Sequence, residues 1–422
     1  MTTPGRLARR LNTTDAVVIG LGSMIGAGVF AAFTPAAQAA GSGLILGLLV
    51  AAFVAYCNAT SSAQLAASYP TSGGTYVYGR ERLGPWAGFL AGWGFVVGKS
   101  ASSAAMALTF AAYAAPPEWQ KPAAVAAVVV LAAVNYRGVT RTAALTRAIV
   151  AVVLGILAFL IALCWVGTQA SPGRVLGDGP DVGKLFSGGA YGILQAAGLL
   201  FFAFAGYARI ATMGEEVIRP RTTIPRAIVI ALGIAVAIYA VVGISILAVL
   251  GPSGVAGSAT PLADAVAGGS FPWSARVVRA GAGLASLGAL LALIAGLGRT
   301  ALAMARHHDL PHWLSAVHVR FHVPHRAEVV LTLLVCLVIL VADVRSAIGF
   351  SSFGVLVYYL IANLSAYTQP PQDRLYPRVL QLAGAAGCVL LVATLPVQSV
   401  MAGAVMFAAG VVYRALRLRL RR

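Results

Sequence analysis

The chain has 422 residues, 59% of them hydrophobic and 10% charged, with a mean hydropathy of +0.86. A soluble domain carries about 25% charged residues, so the composition excludes a soluble globular protein and makes lipid the solvent for much of the chain. The net charge of +18 follows the topological pattern set out below, which argues for anionic lipid as its partner and against nucleic acid.

A spanning helix takes about 20 apolar residues, and twelve such segments are counted, centred near residues 24, 54, 98, 129, 155, 201, 238, 288, 334, 357, 386 and 407. The "ARRL" of residues 8–11 reads as a cytoplasmic anchor rather than part of a cleavable signal, because membrane segments follow directly. With the N-terminus inside, 22 of the 30 basic residues fall in cytoplasmic segments. Six fall outside: Lys121, Arg174, Lys184, Arg276, Arg279 and Arg345. The bias predicts a multi-pass protein of the cell membrane with an even number of spans and both termini cytoplasmic. Residues 1–12 form a cytoplasmic N-terminal segment and 417–422 a basic cytoplasmic tail.

The first apolar segment contains "IGLGSMIGAGVF", Ile19 to Phe30, with four glycines and a serine in twelve residues. Each interior glycine weakens a helix by roughly 1 kcal/mol relative to alanine. A break here would free backbone N–H and C=O groups, which is tolerable within a membrane only beside a polar cavity. Carbonyls between Ser23 and Gly28 could then accept from an ammonium group. The N–H groups opening the following half-helix could hold a carboxylate. The alternative is that the glycines serve close helix packing.

The sixth segment, "YGILQAAGLLFFAFAGYARIATMGEE", has its own small-residue interruption at Phe204-Ala205-Gly206. Paired interruptions in two halves point to a transporter binding site. The first ten segments divide five and five, with repeat one over about 13–167 and repeat two over about 188–367. Together they make a transport core over 13–367, to which helices 11 and 12 (368–416) are an addition. The sequence contains no convincing residue-level repeat, so this symmetry rests on span order and break position.

Three stretches carry a resemblance: "GSMIGAGVF" (Gly22–Phe30), "SYPTSGGTYVYGRERLGPWAGFLAGW" (Ser68–Trp93) and "GEEVIRPRTTIPRAI" (Gly214–Ile228). Together they resemble the amino acid–polyamine–organocation superfamily of permeases, over about residues 12–370; "ALAMARHHDLP" is a weaker match. The resemblance implies an all-α integral membrane protein with twelve transmembrane helices. Ten of them would form the inverted five-plus-five, LeuT-like repeat, with helices 1 and 6 broken. It also implies alternating access and amino acids or polyamines as substrates. Carried over by position, the carboxylate-binding half-helix end falls on Gly26, Ala27 and Gly28, and the carbonyls facing the amino group near Ser23 and Met24, with Ile25 between. Phe202, Phe204, Ala205 and Gly206 fall on the unwound part of helix 6. Phe202 is a candidate gate over the substrate or a packing residue. Two coupling devices of the family are missing: a glutamate after the helix 6 break reads Ala208, and a helix 5 lysine falls near Val153.

Lys99 sits mid-span in "GWGFVVGKSASSAAM", where an ionisable group needs a cavity or a partner. It is either a substrate-adjacent or coupling residue, or a structural ammonium group held by carbonyls of the broken helices. A charge there disfavours cationic substrates and turns the expectation from arginine, lysine and polyamines toward neutral or acidic amino acids. Arg209 is expected to pair with Asp15, Glu215 or Glu216 as an inner gate, or to snorkel to headgroups. Glu215 and Glu216 are expected to pair with loop arginines such as Arg219, Arg221 or Arg226. Ser286 has no Ser/Thr companion, which disfavours sodium against protons as the coupling ion.

All six histidines lie between His307 and His325. The run reads as a polar cytoplasmic connection and gives no metal site. Cys57, Cys164, Cys336 and Cys388 are isolated in apolar segments and read as small hydrophobes. No hydrolase, Walker or zinc-protease motif is present, so neither an enzyme nor a cofactor is expected. The sequence is that of a secondary transporter expected to move amino acids, by proton-coupled uptake or exchange, with neutral amino acids favoured. The alternative is an antiporter or exchanger of polyamines or other amines; a sensor or a channel ranks lower. Arginine outnumbers lysine 27 to 3, which fits a bacterial gene.

Overall fold

The computed structural model describes residues 11–70, 73–138, 143–176 and 182–420. Of Ala27, Ala143 and Val182 the backbone alone is described. Residues 1–10, Arg141 and the last two tail arginines lie outside the described residues.

The described residues form helices in this order: α1 (Thr13–Met24), α2 (Ala27–Ala31), α3 (Phe33–Ala40), α4 (Leu44–Ser68), α5 (Thr75–Leu83), α6 (Pro85–Ala114), α7 (Gln120–Tyr136), α8 (Ala143–Val166) and α9 (Pro172–Val175). There follow α10 (Gly189–Phe204), α11 (Ala208–Ala211), α12 (Pro220–Gly257), α13 (Pro261–Ala267), α14 (Ser274–Arg306), α15 (His325–Val341), α16 (Val344–Tyr367), α17 (Arg378–Thr394) and α18 (Val397–Arg419). Short 3-10 turns join several of them. Among the described residues the chain is all-helical apart from one isolated bridge between Leu11 and Val217.

Nine helical spans among the described residues are long and apolar enough to cross a membrane. All twelve centres expected from the sequence fall on or at the end of a helix, but those near 129, 334 and 386 lie on helices of 17 residues, α7, α15 and α17. Length and hydropathy together therefore give nine spans rather than the expected twelve.

Burial sorts these spans. The apolar windows of Pro85–Ala114 and Val344–Tyr367 are 78% buried inside the protein, whereas those of Ala144–Val166 and Val397–Arg419 are only 28% and 22% buried. The first pair carries small residues at the contact. A Cβ on Gly354 would lie 2.7 Å from the Gly94 carbonyl oxygen and 2.9 Å from Gly98 Cα. Backbones this close are how membrane helices gain packing energy when lipid offers no hydrophobic drive. Polar links add to it. Ser102 and Ser351 share a 2.6 Å hydrogen bond between α6 and α16. Asn363 of α16 donates to Asn58 of α4 at 2.6 Å, and Ser61 donates to Asn363 at 2.6 Å.

At one end of the bundle Asp309 gathers three elements. Its carboxylate accepts from Tyr76 at 2.8 Å, Arg80 at 3.2 Å and Arg414 at 2.5 Å. The Arg414 guanidinium lies 4.7 Å from the Phe89 ring centroid and 4.9 Å from that of Trp86. The peripheral α18 is thus tied to α5 and to the connection after α14. Neighbouring histidines pack around aromatic rings: His318 and His325 meet the Tyr136 ring edge-on at 5.6 and 6.3 Å.

Candidate substrate site

The first expected interruption is a true break. α1 starts with an Asn12–Asp15 capping box and ends at Met24; Gly26 has non-helical backbone angles, and α2 starts at Ala27. The helical course then runs through Ala32 into α3, with Ala32 N–H bonded to the Gly28 carbonyl and Ala36 N–H to that of Ala32. The second interruption differs from the unwound segment expected. Phe204, Ala205, Tyr207 and Ala208 keep right-handed helical angles, and Ala205–Tyr207 tighten into a 3-10 turn. Tightening still interrupts the α-helical ladder, because a 3-10 turn bonds i to i+3 with poorer geometry.

The two interruptions touch through their backbones. A Cβ on Gly206 would lie 2.6 Å from Met24 N and closer still to the Ser23 carbonyl. A Cβ on Gly28 would lie 2.7 Å from Ala203 Cα. Only glycine permits such an approach. The carbonyls freed here have partners. Ala205 C=O accepts from Lys99 Nζ at 3.4 Å and from the Tyr359 hydroxyl at 3.3 Å. The Tyr239 hydroxyl lies 2.6 Å from the Met24 carbonyl oxygen and 3.1 Å from that of Ala203. Tyr239 of α12 therefore takes the Met24 carbonyl that was expected to face an amino group. A hydroxyl in a long apolar helix gives no sequence pattern, so neither Tyr239 nor Tyr359 was anticipated.

Beside this junction lies a cavity of about 80 Å³ between α1, α6, the α10–α11 junction and α14. Its wall includes Ser23, Lys99, Phe202, Ala205, Gly206, Ala208 and Arg209, all singled out in the sequence. Phe95, Ser102, Met106, Thr212 and the α14 face from Ala289 to Thr300, with Arg299, complete it. The cavity wall does not include Met24, Ile25, Gly26, Gly28 or Phe204. Gly26 packs instead against Ala289, and Gly28 against Ala203. Ser23 Oγ donates back to the Ile19 carbonyl at 3.0 Å. Val153, at the position of the missing helix 5 lysine, is buried and faces Gly22 and Gly26 across a small crevice.

A second cavity, of about 250 Å³, shares Ser23, Arg209, Ala292 and Arg299 with the first and extends to Leu11, Asn135, Met213 and Glu216. The ion pairs here differ from those expected. Asp15 pairs with Arg147 at 3.6 Å, not with Arg209. Glu216 pairs with Arg299 at 4.0 Å rather than with Arg219, Arg221 or Arg226. Arg209 lies within electrostatic range of both Arg299 and Glu216. The Glu216–Ile218 backbone is held by Leu11, whose N–H donates to the Glu216 carbonyl at 3.1 Å and whose carbonyl accepts from Ile218 at 2.9 Å. In α14, the Ser286 hydroxyl is buried without a hydrogen-bond partner among the described residues.

The chain matches the amino acid permease family over residues 11–414. It is 58% identical over 408 residues to an uncharacterized transporter of Mycobacterium tuberculosis, covering 97% of this chain and 91% of that protein. It is 27% identical to cationic amino acid transporter 3 (mitochondrial) of Arabidopsis thaliana, over 89% of this chain and 65% of that protein. Human cationic amino acid transporter 4 is also 27% identical, over 85% of this chain and 59% of its own length. With helices long enough to cross a membrane and a cavity at the junction of two interrupted helices, the chain belongs to the amino acid permease family of the amino acid–polyamine–organocation superfamily.

Proposed function

We propose that the chain is a secondary transporter that moves an amino acid without net positive charge across the cell membrane by alternating access. The substrate occupies the cavity between α1, α6, the α10–α11 junction and α14. The observation that carries this reading is the cavity wall itself, where Ser23, Phe202, Ala205 and Gly206 meet Lys99 at the contact of the two interruptions. In this reading α7, α15 and α17 complete twelve spans with both termini cytoplasmic. The core over 13–367 works as two inverted five-helix repeats, and α17 and α18 are appended.

The substrate's charged ends meet main-chain dipoles. Gly26, Ala27 and Gly28 open a helical course whose N–H groups suit a carboxylate once the cavity widens toward them. Phe202 closes over the bound molecule. Lys99 spans cavity and backbone: its ammonium group holds the Ala205 carbonyl and faces the bound molecule, so substrate entry and helix position are coupled through one side chain. Protons or a second amino acid drive the cycle.

Two of the relatives are named for cationic amino acids, and this chain departs from that class on physical grounds. A lysine or arginine substrate would place its cation beside Lys99, Arg209 and Arg299, with no carboxylate among the described residues of the cavity wall. Purified protein in proteoliposomes loaded with one amino acid should accumulate the labelled form by counterflow, saturably, and Lys99→Met should reduce that flux. Counterflow of lysine or arginine alone would refute the charge assignment, and absence of counterflow with any amino acid would refute transport.

A further inference from the structure

The cavity wall carries more positive charge than a zwitterion can balance. Lys99 is 7% exposed, and its one side-chain hydrogen bond among the described residues is to a backbone carbonyl. Arg209 makes no ion pair within 4.0 Å among the described residues, and Arg299 has only Glu216, at the outer limit of 4.0 Å. Among the described residues the wall of the first cavity contains Lys99, Arg209 and Arg299 and no aspartate or glutamate. Glu216 belongs to the second cavity, so the balance at the shared wall is two arginines to one carboxylate.

The wall is also graded along α14. Ala289 shares one apolar cluster with Phe202 and Met106, with Leu293 packed against it, and Arg299 lies within electrostatic range of Arg209. From residue 289 to 300 this is roughly 16 Å at 1.5 Å per residue. The wall is therefore apolar around Phe202, Met106 and Ala289 and carries two guanidinium groups, Arg209 and Arg299, toward the other end of this α14 face. Guanidinium groups recognise carboxylates through planar, charge-assisted hydrogen bonds, and do so best where water is excluded.

We infer that the transported molecule is an acidic amino acid, whose side-chain carboxylate is taken by Arg209 and Arg299 while its α-carboxylate and ammonium group meet the interrupted helices. The inference rests on the transport reading above and narrows it from non-cationic to anionic substrates. Arg209 and Arg299 then set specificity, and Glu216 competes with the substrate for Arg299. Removal of either arginine takes away a charge-assisted contact, an effect of roughly 10- to 100-fold in affinity.

The test is counterflow in proteoliposomes with glutamate, aspartate, alanine, leucine and lysine, for the unaltered protein and for Arg209→Gln and Arg299→Gln. The expected result is preference for glutamate or aspartate, a KM for that substrate raised at least about tenfold in each variant, and a smaller rise in KM for alanine, which has no side-chain carboxylate to lose. If either variant fails to insert, Arg209→Lys and Arg299→Lys, which keep the charge and lose the fork, should show a smaller rise in KM. Saturable counterflow of alanine or leucine without acidic preference would overturn the inference and leave the transport reading standing. So would an equal fall in maximal rate for every substrate, the mark of an inner gate, or a chloride requirement without acidic preference. Failure of all five amino acids to exchange would count against transport itself.

Discussion

Gly206→Ala is the sharpest perturbation of the contact between the two interruptions. The added methyl would lie 2.6 Å from Met24 N and nearer to the Ser23 carbonyl. Carbon contacts are comfortable at about 3.5–4.0 Å, so the two backbones must part by roughly 1 Å. Both sides are main chain, with no flexible side chain to swing away. Such overpacking costs about 1–3 kcal/mol, against which alanine returns roughly 0.5–1 kcal/mol by replacing a helical glycine. Gly233→Ala is the matched control, because a methyl there meets nothing within 4 Å on the exposed side of α12. Gly206→Ala should lower the thermal unfolding midpoint in detergent, and Gly233→Ala should leave it unchanged or raise it. Uptake should fall in the first and persist in the second, because widening the junction moves Ala205 and its Lys99 contact. Equal stability and equal uptake in the two variants would refute the close-contact reasoning.

Tyr239→Phe should destabilise by about 1–3 kcal/mol, because it leaves the buried Met24 carbonyl without its donor; chemical or thermal denaturation measures it. Asp309→Asn removes the charge that holds Arg414, a buried pair with side chains 6% and 7% exposed. Breaking such a pair costs roughly 3–5 kcal/mol; loss of α18 docking, read by protease access to the C-terminal end, should accompany it. Gly98→Leu should separate α6 from α16, because its Cβ would lie 3.2 Å from Gly354 Cα; loss of a monodisperse peak on size exclusion checks it.

The membrane class was legible because composition alone sets it: 10% charge in 422 residues leaves no other solvent. The break at Gly26 was legible for a local reason, since glycines and Ser23 weaken a helix wherever it lies. The sixth-segment interruption was legible in position but not in form. Phe204-Ala205-Gly206 marked the place, yet whether a small-residue run unwinds or tightens depends on neighbours such as Tyr359 and Lys99, which compete for its carbonyls. The glycines of α1 served two ends that sequence could not separate. Gly26 and Gly28 pack against Ala289 and Ala203, while Ser23 three residues earlier faces the cavity. Ion pairs were the least legible. Asp15 found Arg147 on α8 and Glu216 found Arg299 on α14, partners set by how distant helices rotate against one another. The three short helices escaped a length criterion because 17 residues is at the lower edge of a span.

Protection of the cavity wall by substrate tests the account most directly. Ala292 lines both cavities, and the four native cysteines line neither. In Ala292→Cys, alkylation by a small maleimide should slow when a transported amino acid is added. The concentration giving half protection should match that giving half-maximal counterflow. Counterflow that persists in this variant with alkylation unaffected by the same amino acid would contradict a substrate site between α1, α6, the α10–α11 junction and α14.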